Sequence, residues 1–280
     1  MKSIADALGV ARSNLAERMS KNPGTRPQRY SKAQDAGLLP LMLEIMGERQ
    51  TYGYRRMHAL LNKKLDALGL QRVNHKRVYR IMRLHGLLLA RHTGARPVLA
   101  HTGRVSAMRR NARWCSDTFE FLCDDGQTVR VVFALDACDR EVIAFTATTG
   151  GIDARIVQDL MLQCIETRFS ALHAPYPVEW LSDNASCYTA KETRAFAAQL
   201  NLISRFTPVR SPESNGMAEA FVKTFKRDYL CTHWLYDAPS VITHLTQWFE
   251  DYNEVAPHKA LRMLSPREFI RATQTVPCPV

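Results

Sequence analysis

Three strand-like runs in succession, each closed by a turn signal, restrict this chain more than any other feature. RWCSDTFEFLCDDG, QTVRVVFALD and REVIAFTATTG are rich in β-branched and aromatic residues, and Asp-Asp-Gly and Ala-Cys-Asp-Arg separate them. Two such hairpin connections predict a three-stranded antiparallel meander. Helical and strand-like segments then alternate: DARIVQDLMLQCIETRF as helix, PVEWL as a buried strand, KETRAFAAQLN as helix, LISRF as a short strand, and a helix within SPESNGMAEAFVKTFKRDYL. The order βββαβαβα predicts an α/β layout, with one mixed five-stranded sheet flanked by helices. VITHLTQWFEDYN and SPREFIRAT are expected to add two more helices.

Within this series two carboxylates stand out. Asp183 follows the apolar run PVEWL and opens the polar turn SDNAS, which places it at the mouth of a buried strand. Glu219 lies on a helix that Ser211-Pro212 or Asn215-Gly216 can start, and whose apolar stripe is Ala218, Phe221, Val222 and Phe225. Lys223 and Lys226 then fall one and two turns beyond Glu219 on the same face. Such a face suits a hard cation at the carboxylate and a nucleic-acid phosphate at the lysines; ordinary Glu-Lys pairing on a solvated helix is the other reading. If the strands take the order 3-2-1-4-5, Asp117 on the first strand lies beside the strand that ends at Asp183. Asp124 and Asp125 compete for that place but read as a hairpin turn, and Asp136 reads as a strand end.

Charge separates the chain into two parts. Residues 1–110 hold 22 Lys and Arg against 6 Asp and Glu, whereas 111–280 hold 16 against 21. A basic first part that binds a polyanion and an acidic second part that binds metal follow from this split, with nucleic acid as the partner. Residues 1–20 read as two short helices, half of a helix-turn-helix, with Arg12, Ser13 and Asn14 near the start of the second; basic, Pro- and Gly-bearing 21–31 reads as a linker. A helical DNA-binding domain is expected over 36–92. In it Tyr54, Met57, Leu60, Leu61 and Leu65 form one apolar stripe, away from Arg55, Arg56, Lys63 and Lys64. Its last helix is capped by Asn74, turns Val78, Ile81 and Met82 inward and presents Lys76, Arg77, Arg80 and Arg83 outward to phosphate. Residues 93–112 are expected to be a basic connector, 113–235 the catalytic core and 236–280 its helical extension.

Seven cysteines without a Cys-x-x-Cys pair argue against structural zinc and a disulfide framework. No apolar run is long enough for a membrane span and no signal peptide is visible, so the chain is expected in the cytoplasm.

The strings YGYRRMHALL, VNHKRVYRIMRLHGLL, WCSDTFEF, LSDNASCY, SPESNGMAEAFVKTFKRDY and DYNEVAPHKALRMLSPREF resemble those of bacterial insertion-sequence DDE transposases of the OrfB, frameshift-fused type. The likeness spans about residues 36–270 and implies the ribonuclease H-like fold shared with retroviral integrases. It implies Asp117, Asp183 and Glu219 as catalytic, metal-holding residues, and Lys226 as the basic residue seven beyond the Glu. It also implies two Mg²⁺ or Mn²⁺ ions, action on terminal inverted repeats and target DNA, end-to-end circle formation before insertion, a homo-oligomer on DNA and fusion to an upstream reading-frame product. Lys223 and Arg227 are expected to hold phosphate beside Lys226, and Arg104, Arg109 and Arg110 to grip element ends. Two departures stand out: Ala185 and Arg262 occupy positions where the family commonly has Gly. A restricted turn at Ala185 would leave a sequence-specific DNA-binding regulator without activity, the alternative reading.

Overall fold

The computed structural model describes residues 35–90, 109–207 and 216–274. The helices expected in 1–20, the linker, Arg104, Ser211-Pro212, Asn215 and Cys278 lie outside the described residues.

The meander is β1 (Arg113–Leu122), β2 (Thr128–Asp136) and β3 (Val142–Thr148). The Asp-Asp-Gly turn between β1 and β2 works because Gly126 adopts φ +85° and the Asp125 carboxylate accepts the Gln127 N–H. Next come helix α4 (Ala154–Phe169), strand β4 (Val178–Ser182), short helix α5 (Ser186–Thr189), helix α6 (Lys191–Gln199), strand β5 (Leu202–Phe206) and helix α7 (Gly216–Asp228). Helix α4 begins where Asp153 accepts the Ile156 N–H, and it stops at Ser170, which turns left-handed. Helices α8 (Ala238–Glu254) and α9 (Pro266–Gln274) follow. The four-residue α5 falls within the stretch that reads as a polar turn.

The sheet runs β3-β2-β1-β4-β5, the order expected, with β1, β2 and β3 antiparallel and β1-β4 and β4-β5 parallel. Both faces are covered. On one, α7 and α8 set Phe221, Phe225, Leu245 and Phe249 against Cys115, Phe119, Phe133 and Leu181. On the other, α4 and α6 set Leu160, Cys164, Ile165 and Leu200 against Trp114, Val132 and Trp180. Interior strand β2 is buried on both sides, which is why its sequence is almost continuously apolar.

Ahead of the sheet, α1 (Leu38–Glu48), α2 (Tyr54–Ala67) and α3 (His75–Leu84) close around Met42, Met57, Leu61, Leu65, Val78, Ile81 and Met82. Asn74 caps α3 by accepting the Lys76 N–H at 2.8 Å. Among the described residues no helix is long and apolar enough to cross a membrane. Cys115, Cys123, Cys164 and Cys187 are buried free thiols, Cys138 is half-buried and Cys231 exposed.

Arg262 sits left-handed at φ +57°, as the family's glycine at this position would. A Cβ there costs about 1 kcal/mol, offset in part by the entropy glycine adds to the unfolded chain. Arg262→Gly is therefore expected to stabilise the protein by about 0.5 kcal/mol, read as a small rise in the urea midpoint at constant m.

Candidate active site

Backbone register brings the first two carboxylates together. Strands β1 and β4 pair in parallel with Trp114 opposite Trp180 and Cys115 opposite Leu181. The ladder ends there, and Asp117 and Asp183 follow two residues further along each chain. Side chains alternate along a strand, so Asp117 shares the face of Cys115, and Asp183 continues that of Leu181. This is the face that α7 covers.

Asp183 leaves the end of β4 in a turn built from its own side chain. Its carboxylate accepts the Ala185 N–H at 3.0 Å. Asn184 donates its side-chain amide to the Thr207 carbonyl at 2.8 Å, and Thr207 N–H donates to the Ser182 carbonyl at 3.0 Å, so the turn is fastened to the end of β5. Ala185 has φ −61° and ψ 148° and caps α5, a conformation open to any residue. The absent glycine therefore does not strain this turn. The anchoring role of Asn184 is one that sequence reasoning missed; its signal was the polar turn SDNAS itself.

Glu219 sits in the first turn of α7. Ala218, Phe221, Phe225 and Asp228 turn inward at helical spacing, which leaves Glu219 half-exposed beside the buried stripe. The stripe carries rings: Phe221 lies 4.5 Å from Phe133, and Phe225 lies 5.7 Å from Phe119 and 4.6 Å from Phe249, centroid to centroid. Lys223 Nζ stands 3.8 Å from the Glu219 carboxylate. Lys226 Nζ donates to the Glu120 carbonyl at 2.9 Å and lies over the Phe119 ring, so it ties α7 to β1 at the rim of the site.

Burial pushes the Asp117 carboxyl up to about 6; the Thr118 N–H opposes that rise, and the charges of Asp183 and Glu219 add to it. Asp117 thus feels the charge of both other carboxylates, and among the described residues neither Asp117 nor Asp183 has a cationic side chain paired to it. An all-oxygen set of this kind fits a hard divalent cation, which would relieve the repulsion. The set is not a finished cage: among the described residues no three His, Cys, Asp or Glu side chains stand close enough to enclose an ion as they are placed.

Of the cations expected to reach DNA, Arg55, Lys76 and Arg83 are exposed. Several others are already engaged, contrary to the outward reading of the sequence. Arg77 and Arg80 both turn to Asp35. Arg227 grips Asp228, and Arg56 donates to the same carboxylate at 2.6 Å. Arg110 pairs with the buried Asp139 at 3.0 Å, and Arg109 lies over the Tyr176 ring. Arg56, Arg77, Arg80, Arg109 and Arg110 find partners far off in sequence or on another element, where helical spacing cannot reveal them, whereas Arg227 takes the residue next to it. Asp136 is buried, bound by the Asn111, Cys138 and Asp139 N–H groups, and stands at the strand end where it was expected.

A mixed sheet in this order, with carboxylates at neighbouring strands and on the helix that crosses them, defines the ribonuclease H-like polynucleotidyl transferases. Models of the integrase core domain match residues 107–212 and 203–266, and an HTH-like domain matches 32–95. The chain is 47% identical to the transposase InsD for insertion element IS2A/D/F/H/I/K of Escherichia coli, over 96% of this chain and 90% of the relative. InsD for insertion element IS2-9 of Escherichia coli strain K12 is likewise 47% identical, over 96% and 88%. A chain of the simian T-cell lymphotropic virus intasome in complex with PP2A regulatory subunit B56 gamma shares the fold, with a TM-score of 0.52 and 14% identity over 80% of this chain and 77% of that one. The chain belongs to the insertion-element DDE transposases with an integrase core.

Proposed function

We propose that this transposase cleaves the ends of its own insertion element to free 3′ hydroxyls, then joins them to DNA without a covalent enzyme intermediate. The observation that supports the reading is the parallel register of β1 and β4, which aligns the strand that carries Asp117 with the one that leads into Asp183, on the face covered by α7. Asp117, Asp183 and Glu219 would hold two Mg²⁺ or Mn²⁺ ions. Such ions, when bound, activate the attacking oxygen and neutralise the leaving one. The backbone N–H groups of Thr118 and Ala185 fix the Asp117 and Asp183 carboxylates in place for that purpose. Lys223 stands next to Glu219 with its side chain largely exposed, placed to hold the phosphate that enters the site. Lys226 and Arg227 extend the same helix face.

Exposed Lys76 and Arg83 on α3, with Arg55 on α2, form the surface we assign to DNA tracking, with Arg77 and Arg80 beside them. Arg56 is left out of this set because it is committed to Asp228. In this division of labour 36–92 holds terminal inverted repeats, 93–112 connects, and 113–235 with 236–280 performs chemistry on element ends and target DNA. The working species is a homo-oligomer on the nucleoid, fused to an upstream reading-frame product for full function.

The test is cleavage and joining of labelled duplexes that carry the element ends, with Mg²⁺, by wild type and Glu219→Gln. Joining is expected to fall by on the order of a thousandfold, about 4 kcal/mol at the transition state, with DNA affinity retained. Equal activity in both proteins would remove Glu219 from the chemistry. Tight binding without nicking by either would favour the regulator reading.

A further inference from the structure

The loop between α1 and α2 and the first turn of α2 make a joint with the far end of the catalytic helix. Asp228, the last residue of α7, is buried, and its carboxylate accepts from Arg56 at 2.6 Å, from Thr51, and from Arg227 at 2.7 and 2.8 Å. Burial acts to raise the Asp228 carboxyl, and the Arg227, Arg56 and Thr51 donors outweigh it and hold it below the usual carboxylate range. Arg56 lies 3.5 Å above the ring of Tyr52, which is itself buried. A second pair repeats the pattern one helix over: Arg49 forks onto Asp251 of α8, which also accepts the Tyr229 hydroxyl at 2.7 Å. Lys63 of α2 reaches Glu268 of α9 at 2.6 Å.

These contacts share a direction. Thr51, Tyr52, Arg56 and Arg49 come from the helical unit that carries α3, and Asp228 ends the thirteen-residue helix that begins beside Glu219. Asp228 lies nine helical steps beyond Glu219, about 14 Å along a rigid rod. An ion pair buried at one end of such a rod holds its geometry far better than a solvated one, because releasing either partner strands a charge out of water. Arg56 reaches one Asp228 oxygen through Nη1 while its planar guanidinium lies over the Tyr52 ring, a combination that a lysine cannot reproduce in full.

We infer that Arg56, acting through Asp228, is a positioning residue that registers the DNA gripped by the helical unit against the carboxylates at the start of α7. The inference rests on the proposed transposase reading. Arg56 touches neither phosphate nor reacting atoms in this scheme. It sets where along the DNA the cut falls and how far DNA binding at α3 steadies α7.

Two measurements on the full-length chain test it. In the first, wild type, Arg56→Ala, Arg56→Lys, Asp228→Asn and the Arg56→Ala/Asp228→Asn double variant are compared on the same end-bearing duplexes. Arg56→Ala is expected to keep its DNA affinity within about threefold, to slow nicking at the proper position by about tenfold or more, and to scatter nicks over neighbouring positions. Arg56→Lys should recover part of both, and the double variant should be no worse than Arg56→Ala. In the second, amide hydrogen exchange across Phe221–Asp228 is followed with and without the duplex. DNA should slow exchange there at least threefold in wild type and leave it unchanged in Arg56→Ala.

Unchanged nick position and rate in Arg56→Ala would overturn the inference. So would equal losses of affinity and rate, which would make Arg56 a DNA contact. If Arg56→Ala fails to fold, Arg56→Lys and Thr51→Val carry the same comparison, and unscattered nicks in both would sink the idea. A wild type that binds but never nicks would count against the proposed reaction alone, because the exchange measurement still decides whether the joint couples DNA to α7.

Discussion

Asp117→Asn should remove nicking and at the same time raise the melting temperature of the metal-free protein. The first effect is expected on the order of a thousandfold, since an amide oxygen is a poor ligand for a hard cation and carries no charge to offset it. The second comes from the same electrostatics with the opposite sign. The Asp117 carboxyl titrates near 6 in the fold, driven up by burial and then by Asp183 and Glu219, against about 3.9 in an unfolded chain. Between those two values the native state holds more protons than the unfolded one. This group therefore costs the metal-free protein stability at neutral pH, and the cost is relieved as pH falls from about 6 towards 4. Asparagine can still accept the Thr118 N–H, so the replacement should keep the local geometry. A gain of about 2 kcal/mol, several degrees in Tm, is expected at pH 7 without metal, with a flatter dependence of Tm on pH between 4 and 6. Mg²⁺ should raise the Tm of wild type and leave that of Asp117→Asn nearly unchanged. A variant that melts lower than wild type at pH 7 would mean that burial and the neighbouring carboxylates do not hold the Asp117 carboxyl above its ordinary range.

Phe225→Ala is expected to be the most damaging change away from the carboxylates. Its ring is fully buried and stands within 6 Å of the rings of Phe119, Phe221, Tyr229 and Phe249, so no neighbour can collapse into the space without moving another. Truncation removes the transfer free energy of the ring and leaves a cavity, together about 3–5 kcal/mol. Because Phe225 and Glu219 ride on one helix, loss of nicking should accompany loss of stability. Phe225→Leu, which refills most of the volume, should return most of both. Denaturant unfolding followed by circular dichroism measures the first and the nicking assay the second. A Phe225→Ala protein within 1 kcal/mol of wild type would show that α7 is held by something other than this ring cluster.

Much of this architecture was legible in the chain. Asp-Asp-Gly and Ala-Cys-Asp-Arg gave away the meander, because a short polar turn between β-rich runs leaves no other connection. The stripe on α7 was legible because one side packs on the sheet and the other stays wet, so burial imposes the helical period. Helix α5 was not legible, since four residues are too few to show a period. The ends of the ion pairs were illegible for a deeper reason. Arg56 and Asp228 are 172 residues apart, and nothing local to either distinguishes a paired arginine from a solvated one. The same holds for Arg77 and Arg80, which helical spacing turns outward and which Asp35 draws aside. Ala185 carries the converse lesson: a departure from a family's glycine matters only where φ is positive, and here φ is −61°.

The β1-β4 ladder, which ends two residues short of Asp117 and Asp183, aligns the two strands that lead to them, and the exposed bends in the long stretch between take no part in that ladder. The exposed parts of the bends that end β3 and α4, at Gly150–Gly151 and Ala171–His173, can therefore lengthen or change without altering where the two strands meet. Chains of very different length can keep the same chemistry in this way, and a short peptide spliced into either bend should leave the site intact while giving experimenters a handle on a working enzyme.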